Sequence, residues 1–360
     1  MSSATSAGSA RGVMPTMKDV AKAAGVSVKT VSNVVNDYEF VSSSTREKVN
    51  KAINELGYQV NVPARNLRLG YTGIISLAIP DLAMPYFAQL SSLVIEESKK
   101  LGMRVLVEPT LYSREGELEA LHGSQHSMID GLIYSPLELG MDDVEQLEVD
   151  YPLVVLGERI FSDRFDHVAT ENVEGAKHAT AYLISTGCRR IAVIGTHPGE
   201  KLGSAALRLD GYRQGLEEAG LDFDPKLVAP SRMWHRIDGV NAMNSLLDAG
   251  VVPDGVVALN DMLAAGVLHS IQMHGMSVPD DISVIGFDNS EDSQYLSPSL
   301  TSISPGLKAV ARLSVRVLKD RINGDRPLNT APGEHVFRKV SSSLVVRKST
   351  RSVQGDEQSI

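Results

Sequence analysis

The chain has 360 residues, more than one ordinary domain needs, and its 42% hydrophobic and 22% charged residues describe a globular protein with a sizeable core. No apolar run reaches the roughly 18 residues of a membrane-spanning helix, and a single cysteine, Cys188, excludes an internal disulfide and points to a reducing cytoplasm. The net charge of −9 divides unevenly: residues 1–70 hold nine Lys/Arg against five acids, a net of +4, leaving −13 for the rest. That is the pattern of a short polyanion-binding head on an acidic body.

Residues 1–15 are small and polar, without the apolar core of a signal peptide, and read as disordered. Thr16 is an N-cap candidate with Asp19 three positions on. The helix that follows places Met17, Val20, Ala21 and Ala24 on one face, and Gly25 breaks it. Ser27 caps a second helix, 28–36, whose Val31, Val34 and Val35 point inward. A third runs to Gly57 with Val49, Ile53 and Leu56 on its buried stripe. Two short helices across a tight glycine turn, followed by a third, make a helix-turn-helix, although a generic three-helix bundle shares that spacing. The second helix presents Val28, Lys29, Thr30, Ser32, Asn33 and Asn36 outward, a hydrogen-bonding face without an acid. Such a face suits the major groove of DNA.

The segments MKDVAKAAGVSVKTVSNVVND and VSSSTREKVNKAINELGYQVNVPARNLRLG resemble the DNA-binding head of the lactose/galactose repressor (LacI/GalR) family, almost unbroken over about fifty residues. The resemblance implies a partner, a pseudo-palindromic double-stranded operator. It implies base reading by Val28, Lys29 and Asn33, and phosphate contacts by Thr16, Ser27, Thr30, Ser32 and Asn36. A well-known member has Arg where Asn33 stands, so its operator is not carried over. Residues 61–68 match the family's hinge helix, too short to hold itself in water. By the resemblance, two such helices fold together in the minor groove, Leu67 wedging into a base step beside Ala64. Leu67 also reads as an ordinary linker leucine.

From residue 72 onward short apolar runs alternate with helical patterns, the signature of parallel α/β sheets. Strands are expected at 74–79, 104–108, 131–134, 153–156, 191–194, 256–259 and 282–287. Helices are expected at 86–101, 174–186, 205–219, 239–249 and 262–274. Two rounds of this alternation give two doubly wound parallel-sheet lobes, with 297–304 and a helix over 306–323 recrossing between them. The family shares this body with periplasmic sugar-binding proteins. The domains expected are a disordered 1–15, the head at 16–60, hinge and linker at 61–71, the body at 72–349, and a disordered 350–360.

Ligands of open α/β sheets sit at the carboxyl ends of the strands. Those ends offer Asp81, Glu158, Arg159, Asn260, Asp261 and Asp288, the residue types that hold neutral polyols, and Trp234 lies in a loop before a helix. The resemblance implies effector contacts at Arg208, Asn260 and Asp288, with Trp234 stacking on the ring. Gly157 stands where the lactose repressor has a contacting Asp, which leaves Glu158 or Arg159 to substitute. Other readings exist: Asp288 as a turn residue, Arg208 as a surface ion pair, Trp234 as core. Asp261 reads equally as a helix cap and is left out of the site.

Enzyme motifs are missing: no Walker loop, G-x-S-x-G, H-E-x-x-H or zinc-spaced cysteines occur, so neither catalysis, cofactor nor metal is expected. The function expected is therefore a repressor whose operator binding is modulated by a metabolite, a sugar, held between the lobes. Alternatives are a corepressor such as a purine, or a sugar-binding protein without a regulatory role. A homodimer is expected, because the chain ends STRSVQGDEQSI without the leucine-patterned tetramerising helix of the lactose repressor.

Overall fold

The computed structural model describes residues 15–35, 38–58, 71–325, 327 and 334–352. The expected hinge helix at 61–68, with Ala64 and Leu67, lies outside the described residues, as does Asn36. The chain divides into two compact units between Thr72 and Gly73.

The first unit holds α1 (Met17–Ala24), α2 (Val28–Val35) and α3 (Ser43–Leu56). The Asp19 carboxylate accepts the Thr16 amide at 2.8 Å and its hydroxyl at 2.7 Å, closing the first turn of α1. Val20, Ala21, Val31, Val34, Val49, Ala52 and Tyr58 form one small core. The stripe of α3 differs from expectation in one place. Ala52 is buried and Leu56 is 38% exposed, because α3 ends there and the chain turns at Gly57 to bring Tyr58 inward.

The second unit is built from two six-stranded sheets. The first contains β1 (Ile74–Ile79), β2 (Arg104–Pro109), β3 (Leu132–Tyr134), β4 (Leu153–Leu156) and β5 (Asp166–Thr170), with α4 (Pro85–Lys100) and α5 (Arg114–His122) between strands. The second contains β6 (Ile191–Thr196), β7 (Val228–Pro230), β8 (Gly255–Ala258), β9 (Ser283–Phe287) and β10 (Thr301–Ser304). Its helices are α6 (Asn172–Ser185), α7 (Ser204–Glu218), α8 (Arg236–Asp248) and α9 (Asp261–Met273). The chain then returns to the first lobe for α10 (Leu307–Ile322) and β11 (Phe337–Val340), and to the second for β12 (Ser343–Val345). The strand orders are β11-β5-β4-β3-β1-β2 and β12-β10-β9-β8-β6-β7. Every pairing is parallel except β10 with β12. The inner strands of both sheets are buried almost continuously, as helices on both faces require.

Three crossings therefore join the lobes, at Glu171, at Pro305–Gly306 and at Ser341–Ser342. They hold one another. The Glu171 amide donates to the Val340 carbonyl at 3.1 Å, and the Ser342 hydroxyl donates to the Glu171 carbonyl at 3.4 Å. Gly306 has φ +73°, and a Cβ there would lie 2.7 Å from Val340 Cγ1 and 3.0 Å from the Ser341 carbonyl oxygen. Any larger residue would push the second crossing off the third.

The body also continues past residue 349. Ser349 and Thr350 are buried, the Ser349 hydroxyl donates to the Val284 carbonyl at 2.6 Å, and Arg351 reaches the carbonyls of Asp280 and Asp281. The expected end at 349 falls short because a run of small polar residues gives no hint of these long-range partners.

Candidate functional site

On the head, α2 offers Val28, 42% exposed, and Lys29, exposed, with Thr30, Ser32 and Asn33 half-buried. The hydroxyls are partly engaged already. Ser27 Oγ accepts the Thr30 amide at 3.1 Å and meets the Thr30 hydroxyl at 2.9 Å, so it caps α2. Thr16 donates to Asp19, and this holds the Asp19 carboxyl below its ordinary range.

In the body, the second lobe builds one charged centre. Arg208 projects from α7 and is buried. Its Nε donates to Asn172 Oδ1 at 2.7 Å, its Nη1 to the Leu259 carbonyl, and its Nη2 lies 3.9 Å from Asp288 Oδ1. The guanidinium stacks 3.6 Å from the Phe287 ring centroid and 5.2 Å from that of Trp234. A planar cation on two aromatic faces is fixed in direction as well as charge. Asp288 follows β9 at φ +110°, a costly conformation for a non-glycine residue, held by its amide's bond to the Ile303 carbonyl at 2.8 Å. Burial pushes the Asp288 carboxyl well above its ordinary range, with Arg208 opposing.

Trp234 is pinned by its indole N–H on the Gly195 carbonyl at 2.8 Å. Asn260 caps α9 through Oδ1, which accepts the Leu263 amide at 2.8 Å, while its Nδ2 donates to the Trp234 carbonyl at 3.1 Å. Asp261 resolves to a structural role. Its two oxygens accept from Ser290 N, Ser293 Oγ and Ser302 Oγ at 2.6–2.7 Å, which leaves it little capacity for a ligand.

The first lobe answers with fewer groups. Glu158 Oε1 accepts the Thr170 amide at 2.7 Å and hydroxyl at 3.0 Å, and Oε2 accepts Ser204 of the second lobe at 3.3 Å. Thr170 Oγ1 in turn accepts Asn172 Nδ2 at 3.1 Å. A continuous polar chain thus runs from Glu158 through Thr170 and Asn172 to Arg208. Gly157 adopts φ +80°, and its carbonyl accepts the His167 ring at 2.5 Å. The left-handed turn there suits glycine, and the acid falls one residue later. Arg159 lies 3.7 Å from Glu200 of the second lobe.

Asp81 is not brought to Arg208. Its oxygens serve the Ala83 amide at 2.8 Å and the Tyr112 hydroxyl at 3.1 Å. The residue that enters the centre from this side is Tyr86, at the start of α4. With Met84 and Pro85 it faces Asn260, Asp288 and Ser290 across a gap of about 10 Å³, and burial beside Asp288 and Glu158 raises its phenol pKa. Tyr86, Asn172 and Thr170 were not among the expected site residues. Position after a strand was the available signal for Tyr86. Asn172 follows β5, whose polar sequence hides it. A larger groove of about 670 Å³ lies between α8 and the segment 225–230. Its lining is aliphatic apart from Lys226 and Ser245, without convergent charges, so the cleft is the better site.

Among the described residues no group of three or more His, Cys, Asp or Glu has the arrangement of a metal site. No helix there is long and apolar enough to cross a membrane.

Residues 16–61 match the model of the bacterial regulatory proteins, lacI family, and 180–350 that of the periplasmic binding protein-like domain. The HTH-type transcriptional repressor PurR of Histophilus somni is 32% identical over 343 residues, covering 94% of this chain and all of its own. The lac repressor dimer bound to operator and the anti-inducer ONPF superposes with a TM-score of 0.80 at 28% identity, over 94% of this chain and 99% of that one. The complex of the transcriptional regulator CelR with cellobiose gives a TM-score of 0.67 at 31% identity, over 93% and 99%. With such similarity along nearly its whole length, the chain belongs to the lacI family of bacterial transcription regulators, a helix-turn-helix head joined to a periplasmic-binding-protein-like body.

Proposed function

We propose that the protein is a cytoplasmic operator-binding repressor, a homodimer whose DNA affinity is set by a sugar held between the two lobes. The observation that carries the effector reading is the buried centre around Arg208. One guanidinium is oriented by Asn172, Asp288, Phe287 and Trp234, a directed donor beside a stacking ring and a carboxylate. Those are the elements that bind a polyol's hydroxyls and its apolar face. Arg208, Trp234, Asn260 and Asp288 form the ligand's bed, and Glu158 with Tyr86 closes over it. On the head, Val28, Lys29 and Asn33 read bases, and Thr16, Ser27, Thr30, Ser32 and Asn36 meet phosphates. Leu67 and Ala64 act in the minor groove.

A ligand touching both lobes favours one closure over another, and it shifts operator affinity only by its differential affinity for those states, about 1–3 kcal/mol. A second reading is a corepressor such as a purine. Thermal-shift screening of the full chain separates them. A sugar at 100 times its dissociation constant adds about 2.7 kcal/mol of stability and nucleobases add nothing. Stabilisation by nucleobases alone would replace the sugar reading with the corepressor one.

A further inference from the structure

The head carries an aromatic pair that none of its proposed contacts uses. Phe40, in the turn between α2 and α3, is 82% exposed, more than any other large hydrophobic side chain among the described residues. Tyr38 is 52% exposed, and the two rings meet edge to face, 5.6 Å apart and inclined by 62°. Neither belongs to the head's core, against which the nearby Val41 packs instead. Single exposed hydrophobics are ordinary, whereas contiguous ones among polar side chains mark interaction surfaces. Here Glu39 and Ser42 to Ser44, all exposed, flank the rings in sequence.

The turn that carries them is fixed. The Tyr38 amide donates to the Asn33 carbonyl at 2.9 Å, and the Tyr38 carbonyl accepts the Val41 amide at 3.3 Å and Arg46 Nη2 at 3.0 Å. Ser42 then caps α3, its hydroxyl accepting the Thr45 amide at 3.3 Å. The rings are thus continuous with the outward face of α2, one hydrogen bond from Asn33, on backbone that is already organised. A DNA duplex offers them one surface. The major groove is about 12 Å wide, and a helix with its side chains fills about 10–12 Å. Chain leaving the C-terminal end of α2 therefore lies against a groove wall, the sugar–phosphate backbone. Phe40 has no charge or hydrogen bond to give a phosphate, and the Glu39 carboxylate repels one. What an aromatic ring can cover there is the carbon face of a deoxyribose.

We infer that Phe40, held edge to face by Tyr38, packs on a deoxyribose of the DNA backbone flanking the recognition groove and adds sequence-independent affinity to operator binding. This rests on the operator-binding reading above and extends its contacts beyond hydrogen bonds and charges.

Fluorescence anisotropy of the full chain tests it, on a labelled duplex that the unaltered protein selects from a random pool and on an unselected duplex. Phe40→Ser should weaken both about tenfold, the loss expected from uncovering one aromatic side chain, and Phe40→Leu should keep most of the affinity. Because no cation is lost, the slope of log affinity against log salt should stay the same, whereas removing a phosphate contact lowers it by about one. Melting temperature and sedimentation should not change, since the ring lies outside the core. A loss confined to the selected duplex, or one that disappears when its thymines are replaced by uracils, would make Phe40 a reader of base methyls and overturn the backbone contact. Unchanged affinity on both duplexes, or a weakened dimer, overturns it too and leaves the operator reading standing. If the unaltered protein selects no duplex, the operator reading and the aromatic contact fall together.

Discussion

In the second lobe the strand ends converge on a prebuilt charged centre: Arg208 is held by Asn172, Asp288 and the Leu259 carbonyl, and the next residue, Asn260, is held by Leu263 and Trp234. The first lobe repeats the same strand order, yet its buried charges stabilise the lobe itself. Glu117 on α5 is fully buried and accepts the Tyr134 hydroxyl at 2.6 Å and the amides of Leu137, Glu138 and Leu139 at 2.7–2.8 Å. Asp166 accepts both Arg321 Nε and Nη2 at 2.7 and 2.8 Å, and the Val336 amide at 2.6 Å. The same architecture thus divides its labour. One lobe preorganises the proposed effector bed, and the other, on the same proposal, contributes only Tyr86 and Glu158 at its edge.

Substitutions can break this contrast. Arg208→Ala removes the one cation opposing the raised Asp288 carboxyl and leaves Asn172 Oδ1 and the Leu259 carbonyl without their donor, and is expected to cost about 3 kcal/mol in urea unfolding and to abolish effector binding. Glu117→Ala orphans the buried Tyr134 phenol, the buried Leu139 amide and the less buried amides of Leu137 and Glu138, at about 3 kcal/mol, but effector affinity measured on the folded fraction should remain. If Glu117→Ala weakened binding as severely as Arg208→Ala, the division of labour would be wrong. Gly306→Ala tests the joint between the lobes. Its left-handed backbone and the approach of Val340 predict a loss of about 1–3 kcal/mol, together with altered closure, visible as changed small-angle scattering on adding effector.

The smallest effect concerns pH. Burial lowers the pKa of His167, outweighing its bond to Gly157 and the nearby Glu158. A histidine with a depressed folded pKa binds its proton more readily when unfolded, so its contribution is complete above about pH 6.5 and declines as pH falls through that value. His167→Gln keeps the donor to Gly157 and should flatten the acid limb of a melting-temperature profile. An unchanged limb would place the titration elsewhere.

Much of this architecture was legible in the residues. β1 and β4 fall where their apolar runs place them, and the head's helices follow from their spacing, because in these segments local pattern and tertiary burial agree. Where they disagree, the reading fails. β5 reads DHVAT, and its first two residues are polar yet buried, satisfied by Arg321, Val336 and Gly157 from distant segments. α5 escaped notice because its buried Glu117 breaks the apolar stripe. At the candidate site, Arg208, Asn260, Asp288 and Trp234 are gathered in one place, whereas Asp81 turns back on its own loop and Tyr112. That choice depends on the conformation of Leu111 and Tyr112, both at positive φ, which no residue type announces.

The triple crossing between the lobes has a consequence for biosynthesis. The first lobe is begun before the second but completed after it. Its core takes Ile75, Leu77 and Ile133 from the early strands, yet eight of the eighteen buried residues in that cluster, from Leu307 to Val340, follow β10. On the ribosome the early strands must wait, half covered, while the whole run from α6 to β10 emerges. The later-made lobe lacks only β12 and the segment through Arg351 by then, so the half that carries the Arg208 centre is the one able to fold first, reversing the usual order in which domains mature from the N-terminus.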